Sequence, residues 1–303
     1  MTDLDLTPFR LLIDGIVVPA RRHVRETILP VAIPVVISSI LLTVAQLRWF
    51  RIMSSDDPSA APEFFAGCFL FMLLALVVTM LYGLVFAALT MGAMQAVSGR
   101  PRIRMTQAWA LVVRPSVLGT LILIGVASGL SMAMCYIPAL YVVPVLSFAL
   151  PAMADEGLRG FAALRRAGEL AHFNPTGRWT QIPWLQMLLI LVVGFVLYYA
   201  VAFAVQLPFI IAQQVIILRE AAAGQVVDPG ELMASTFWLQ LPANVLNALA
   251  TAVTWLYSAF GTCLLFQEVR RRKEAGDLEA AIARLTGRSA ESASGTAGDR
   301  DVS

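Results

Sequence analysis

Six long apolar stretches divide the chain, each bounded by polar and charged residues. The first, Ile28 to about Leu47 (ILPVAIPVVISSILLTVAQL), has 20 residues, enough helix for a hydrocarbon core about 30 Å thick. It exceeds the usual apolar core of a signal peptide, starts late and lacks a following small-residue cleavage pattern, so a retained span is expected. Phe64 to Val97 has 34 residues, about 51 Å of helix at 1.5 Å per residue. That is too long for one upright crossing and too short for two, which predicts one tilted, protruding helix. Residues 116 to 153 surround a turn-like Cys135-Tyr136-Ile137-Pro138 and divide into spans 116–134 and 137–153, a hairpin with almost no external loop. Ile182 to Leu218 contains Pro183 and Pro208 and leaves one crossing or two short ones open. Phe237 to Phe266 is the last run.

Amphipathic segments flank these spans. Phe9, Leu12, Ile13, Ile16 and Val17 follow helical spacing, with Arg10 and Asp14 off that face, the pattern of a helix lying in the interface. Residues 100–113 place Arg100, Arg102 and Arg104 ahead of Trp109, an interfacial anchor. Between the fourth and fifth spans, Leu158, Phe161, Leu164 and Ala171 are apolar while Arg165 and Glu169 form an i,i+4 pair. A further helix is expected from Asp277, its N-cap, to Leu285. The last fifteen residues, 289–303, have no apolar face and are expected to be disordered. The domain organisation is then a 1–27 amphipathic segment, a 28–268 membrane domain, a 269–288 basic helix and a 289–303 tail.

The placement of the 22 basic residues adds orientation. Four (Arg10, Arg21, Arg22, Arg25) precede the first span and two (Arg48, Arg51) follow it. Four (Arg100, Arg102, Arg104, Arg114) follow the second, none the third, and four (Arg159, Arg165, Arg166, Arg178) the fourth. Arg219 alone follows the fifth, and seven residues beginning with Arg270, Arg271, Arg272 and Lys273 follow the sixth. Basic short loops stay in the cytoplasm, so six crossings with both termini cytoplasmic are expected, one crossing at the fifth run included. Arg21, Arg22, Arg100, Arg102, Arg104, Arg165, Arg166, Arg270, Arg271 and Arg272 are candidate contacts for an anionic cytoplasmic leaflet.

Composition fits a membrane protein: 58% hydrophobic and 14% charged, too apolar for a soluble domain of this length. The net charge of +2 favours no nucleic-acid partner. Cys68, Cys135 and Cys263 stand apart without a C-x-x-C or Cys/His cluster, so no disulfide framework, metal site or cofactor is expected. His23 and His172 lack partners at a metal or triad spacing and are expected to face solvent or headgroups. Asp155 and Glu156 are adjacent on a helix and point about 100° apart, which suits helix termination better than paired acid–base chemistry. No P-loop or nucleophile-elbow motif occurs and no loop can hold a soluble catalytic domain, so an enzyme is not expected.

Inside the membrane, Gln240, Asn244, Asn247, Thr251, Thr254, Ser258 and Thr262 recur at steps of 4, 3, 4, 3, 4 and 4, one face of the sixth span. Unpaired amides in lipid are costly, so this stripe serves interhelical hydrogen bonding or walls a polar cavity, with Gln206, Gln213 and Gln214 as candidate partners. Gly125 and Gly129 form a GxxxG, and Gly83 with Ala87 and Ala88 with Gly92 give looser patterns; each predicts close helix packing. Ionisable residues are absent from the middle of every span, which argues against proton- or sodium-coupled pumping.

The N-terminal LDLTPFRLLIDGIVVPARRHVRETILPVAIPVVI and the later VLSFALPAMADEGLRGFAALRRAGELAHFNPTGRW resemble bacterial proteins related to the glycerophosphoryl diester phosphodiesterase membrane domain and the YciC-like inner-membrane proteins. The second passage carries Glu156 and Gly157, the Ala163-Leu164-Arg165-Arg166 helix, and the turn through Gly177 to Trp179. GRPRIRMTQAWALVVRP resembles an earlier counterpart of that helix, so the resemblance implies a weak internal duplication. It also implies a bacterial inner membrane and no catalysis, because the family's phosphodiesterase chemistry belongs to a separate soluble domain. The expectation is therefore an all-α transmembrane, six-helix bundle with cytoplasmic interfacial helices, a non-catalytic scaffold or partner subunit in contact with anionic lipids and a protein partner. The alternative is a transporter or lipid-handling permease with a cavity lined by span six.

Overall fold

The computed structural model describes residues 7–53, 61–99, 103–134, 136–174, 179–222 and 229–297. Helices α1 (Thr7–Met53), α2 (Ala61–Val97), α3 (Met105–Val112), α4 (Pro115–Met134) and α5 (Tyr136–Ser147) are followed by α6 (Ala149–Asp155), α7 (Phe161–Ala171), α8 (Pro183–Ala222) and α9 (Pro229–Ala297). A 3-10 turn, Trp179–Gln181, leads into α8. Pro115, Pro183 and Pro229 each open a helix, the position where a missing N–H leaves nothing unpaired. Gly157 and Gly160, at φ +68° and +58°, let the chain reverse between α6 and α7 at angles that side chains resist.

Six stretches are long and apolar enough to cross a membrane: Gly15–Gln46, Phe65–Val97, Pro115–Met134, Ile137–Asp155, Pro183–Arg219 and Leu239–Ala275. The protein is an all-α, multi-pass membrane bundle. The fifth run is one continuous helix in which Pro208 is internal, so the two-crossing alternative for it does not apply. The fourth span, in contrast, is broken at Phe148 into α5 and α6. Pro151 has no N–H for the Ser147 carbonyl four residues earlier, and the turn drives Phe148 to complete burial.

The N-terminal segment is not a separate interfacial helix, because α1 runs unbroken from Thr7 through the first span with Pro19, Pro30 and Pro34 inside it. It does not run straight along α9, however. His23 stacks on Phe260 at 6.2 Å, and Ile16 already reaches Gly261, one residue further along α9. The seven residues from Ile16 to His23 make about 10 Å of helix, so the start of α1 crosses α9. Its buried face is Ile16, Ala20, His23 and Thr27, whereas Val17 is exposed; the side chains of Phe9, Leu12 and Ile13 lie outside those described. At the other terminus α9 continues to Ala297, past Leu285 and through the first part of the tail expected to be disordered. A helix already formed extends without a new nucleation cost.

α1 packs chiefly on α9, with α8 on α9 and α2 against both α1 and α9, and the α4–α5 hairpin joins through α5 to α8 and through α6 to α2. The core lies towards one end. Among the described residues of α2, Val78 is the one buried side chain before Val85, while burial is nearly continuous from Ala87 to Met94. Phe260 and Phe266 of α9, Leu170 of α7 and Met187 of α8 fill the same end. Contacts there join the basic segments: Glu26 accepts the Ile103 N–H at 3.1 Å, Gln267 donates to Ser98 at 3.5 Å, and Arg270 pairs with Asp155. The arginine-rich intervals thus converge on one end of the bundle.

Candidate functional site

Two polar regions are candidates, the span-six stripe and the basic end. On the stripe, Asn244 donates through Nδ2 to Thr43 Oγ1 of α1 at 2.7 Å, and Asn247 donates to the Tyr198 hydroxyl of α8 at 3.2 Å. Thr251 and Thr254 turn back to the carbonyls of Asn247 and Ala250 at 2.8 and 2.9 Å. Thr262, fully buried, bonds the Ser258 carbonyl at 2.9 Å, and Gln240 donates to Thr236 at 3.4 Å. Ser258 is buried against Gly194, where an added Cβ would lie 2.9 Å from its hydroxyl. Hence the stripe faces α1 and α8, and the amides find Thr43 and Tyr198, not Gln206, Gln213 or Gln214. Hydroxyls inside apolar runs were the available signal for Thr43 and Tyr198, the latter beside Tyr199; nothing local says which helix they face. Among the described residues, one buried side-chain oxygen has no hydrogen-bond partner, Asn247 Oδ1.

At the basic end a chain of ion pairs crosses three helices. Arg166 of α7 forks onto Glu156, its Nε 2.9 Å and its Nη2 2.9 Å from the two carboxylate oxygens. Arg270 of α9 bonds Asp155 and Glu274 and approaches Glu156 at 3.8 Å. Lys273 reaches Glu169 at 3.4 Å. The network fastens the end of α6 and the whole of α7 to α9, and beside it an open cleft of about 500 Å³ is lined by Val97, Ser98, Asp155, Gln267, Arg270 and Arg271 among others. Burial by itself would raise the Glu169 pKa, but the Lys273 ammonium and Arg165 guanidinium outweigh it and hold the carboxyl below its ordinary value. A depressed carboxylate stabilises the fold above its unfolded pKa, and that contribution disappears as pH falls through the folded value. Hydrogen exchange over Phe161–Ala171, corrected for intrinsic rates, should therefore rise on acidification, and the rise should be smaller in Glu169→Gln; equal rises would remove Glu169 from the cause.

The ten candidate lipid arginines separate into groups. Arg166 and Arg270, with side chains 21% and 34% exposed, sit against carboxylates; fork geometry toward Glu156 and Asp155 directs them into protein. Arg165 pairs with Glu169 and Arg272 with Glu268, both at the surface. Arg21, Arg22, Arg104 and Arg271 are exposed and have no ion pair among the described residues. Arg100 and Arg102 lie outside the described residues.

The two histidines part company: His172 is exposed, as expected, and His23 is not. His23 is buried, 3.3 Å from Glu26, because the crossing of α1 over α9 seals it. His172 Nδ1 lies 2.7 Å from the Gly168 carbonyl and Nε2 meets the Tyr141 hydroxyl. A carbonyl only accepts, so in the neutral ring Nδ1 carries the proton and Nε2 accepts from tyrosine. His172 and Arg166 are about 9 Å apart along α7, and Glu156 faces the latter. Cys263 donates to the Thr90 carbonyl at 3.3 Å and is buried, while Cys68 accepts from Trp49; Cys135 lies outside the described residues. Among those residues no group of three His, Cys, Asp or Glu side chains gathers at metal-binding distance.

The glycine patterns behave differently from each other. An added Cβ at Gly92 would lie 3.0 Å from Ile103 and Met105, so Gly92 does pack closely, against α3 and the segment before it, and Ala88 is fully buried. At Gly83, Gly125 and Gly129 a Cβ would meet nothing within 4 Å. The GxxxG of α4 is not a packing face within this chain, because that side of α4 is turned away from the bundle. Comparison with models of known families, with curated proteins and with solved structures finds no match.

Proposed function

We propose that the protein is a non-catalytic scaffold or partner subunit, held in a bacterial inner membrane with its basic end and both termini in the cytoplasm. Membership of the phosphodiesterase membrane-domain group is part of the same proposal. The observation that carries it is the use of the polar groups. Of the span-six stripe, Asn244, Asn247, Thr251, Thr254 and Thr262 donate to helix–helix or same-helix acceptors, while ionisable groups assemble at one end into a fastened, open-clefted face. A face of that kind suits docking of a protein segment; a bundle whose polar stripe is already paired has little left to solvate a moving solute. The test is reconstitution of the full chain in liposomes. The scaffold predicts no solute flux above protein-free vesicles and a stoichiometric complex whose formation is lost on Arg271→Glu in the cleft. Flux with no complex would reject it.

A permease is the second reading, favoured by the unpartnered Asn247 Oδ1, since a buried acceptor without a donor is expensive. Asn244→Leu with Asn247→Leu separates the two. Interhelical hydrogen bonds in membranes are worth about 0.6 kcal/mol each, so packing predicts an unfolding free energy lower by roughly 1 kcal/mol and no change in transport. Normal stability with abolished flux would favour the permease.

A further inference from the structure

We propose that Arg22 and Arg25 of α1, with Arg114 at the start of α4, form a collar that binds anionic phospholipid headgroups in the leaflet at the basic end. This goes beyond partner docking and uses none of the residues lining the cleft. On α1, Leu29, Ile33, Ile37 and Leu41 are 63%, 54%, 51% and 50% exposed and recur every four residues, so one strip of the helix faces lipid tails. Arg25 is the next position of that strip towards the basic end and Arg22 lies one turn further; both are exposed. The residues of the opposite face, His23, Thr27 and Val31, are buried. The arginines therefore leave the hydrocarbon on the side that faces lipid.

α4 repeats the arrangement. Leu130, Val126 and Ile122 are 60%, 54% and 56% exposed, Leu118 continues the strip half-buried, and Arg114 follows it exposed, one residue before α4 begins. In both helices the side chain that succeeds the tail-facing strip is a guanidinium at headgroup depth. No ion pair joins Arg22, Arg25 or Arg114 to a carboxylate among the described residues, in contrast to Arg166 and Arg270. The Glu26 carboxylate beside Arg25 is turned to His23 and the Ile103 N–H. Guanidinium groups match phosphate oxygens in two-pronged geometry, and each basic residue at an anionic leaflet strengthens binding about fivefold.

The full chain is purified in a mild non-ionic detergent and titrated with phosphatidylglycerol or with phosphatidylcholine of the same acyl chains, and retained lipid is counted by native mass spectrometry. The wild type should prefer phosphatidylglycerol, with an affinity that falls as salt is raised. Arg22→Gln/Arg25→Gln should lose that affinity by tenfold or more and Arg114→Gln by about fivefold, with phosphatidylcholine retention unchanged. Arg165→Gln/Arg272→Gln removes the same charge from paired surface arginines and should change it less than about twofold. Equal losses in the two double variants would reduce the effect to net charge and overturn the collar, as would a wild type without lipid preference. Should Arg22→Gln/Arg25→Gln not fold, Arg22→Lys/Arg25→Lys keeps the charge and must retain the preference and its salt dependence; losing either overturns the proposal.

Discussion

Arg166→Ala is expected to be among the most destabilising substitutions at the surface-facing end, lowering the unfolding free energy by about 2 to 3 kcal/mol. Its guanidinium forks onto Glu156 with the two side chains 21% and 16% exposed, and it also lies 3.8 Å from Glu169. Removing one member of such a pair leaves the other charge desolvated, at about 3 to 5 kcal/mol for full burial; the residual exposure lowers that figure. The damage should not stop at one pair. Glu156 is also 3.8 Å from Arg270, so α7 loses its main polar tie to the end of α6 and keeps the Lys273–Glu169 bond to α9 and its apolar packing. Arg166→Met with Glu156→Met should recover much of the loss, because a matched apolar pair strands no charge. Unfolding midpoints in mild detergent measure both, and a single variant within about 0.5 kcal/mol of wild type would mean that the network does not hold α7.

Gly261→Leu should be as severe, at about 3 kcal/mol, for a reason of space and not charge. An added Cβ would lie 2.9 Å from Ile190 Cγ2 of α8 and 3.1 Å from Ile16 Cδ1 of α1, so three helices meet where the glycine stands. Overfilling a packed site costs about 1 to 3 kcal/mol, and a leucine must displace two isoleucines at once. Gly261→Ala has an opposing gain of up to about 1 kcal/mol in helix propensity and should be milder. Gly125→Leu and Gly129→Leu form the control, since neither position has a neighbour within 4 Å; both should stay within about 0.5 kcal/mol of wild type. A large loss at Gly125 would show that α4 packs on something beyond this chain.

Glycines display the boundary of what can be read from residue order. At Gly125 and Gly129, which carry the recognised packing spacing, an added Cβ would meet nothing within 4 Å, whereas Gly261 carries no motif and sits where three helices meet. Spacing on one helix says that a small face exists, but a packing contact needs the approach of another backbone, which is a property of the partner. The histidines teach the same lesson. His23 lies among arginines, and only the crossing of α1 over α9 puts it beneath Phe260.

The stripe of span six was legible as a face, because 3.6 residues per turn convert steps of three and four into one side of a helix. Its partners were not. Thr43 is 201 positions from Asn244 and Tyr198 is 49 from Asn247, and no local pattern links them. The fifth run shows the opposite balance: two prolines kept two crossings open, and the basic cluster after span six favoured the single helix that is observed.

Residue order alone carries the six spans and the gathering of basic segments at one end. Burying a peptide group in hydrocarbon requires a helix of about 20 apolar residues, and that is satisfied or not within each window. Which arginines meet carboxylates and which continue a lipid-facing strip emerged only with the packing. Arg166 and Arg165 are neighbours in the chain, yet one forks onto Glu156 and the other is 84% exposed. Helical geometry sends adjacent side chains about 100° apart, and the element on each side, here α6 or the surroundings, decides what each charge finds.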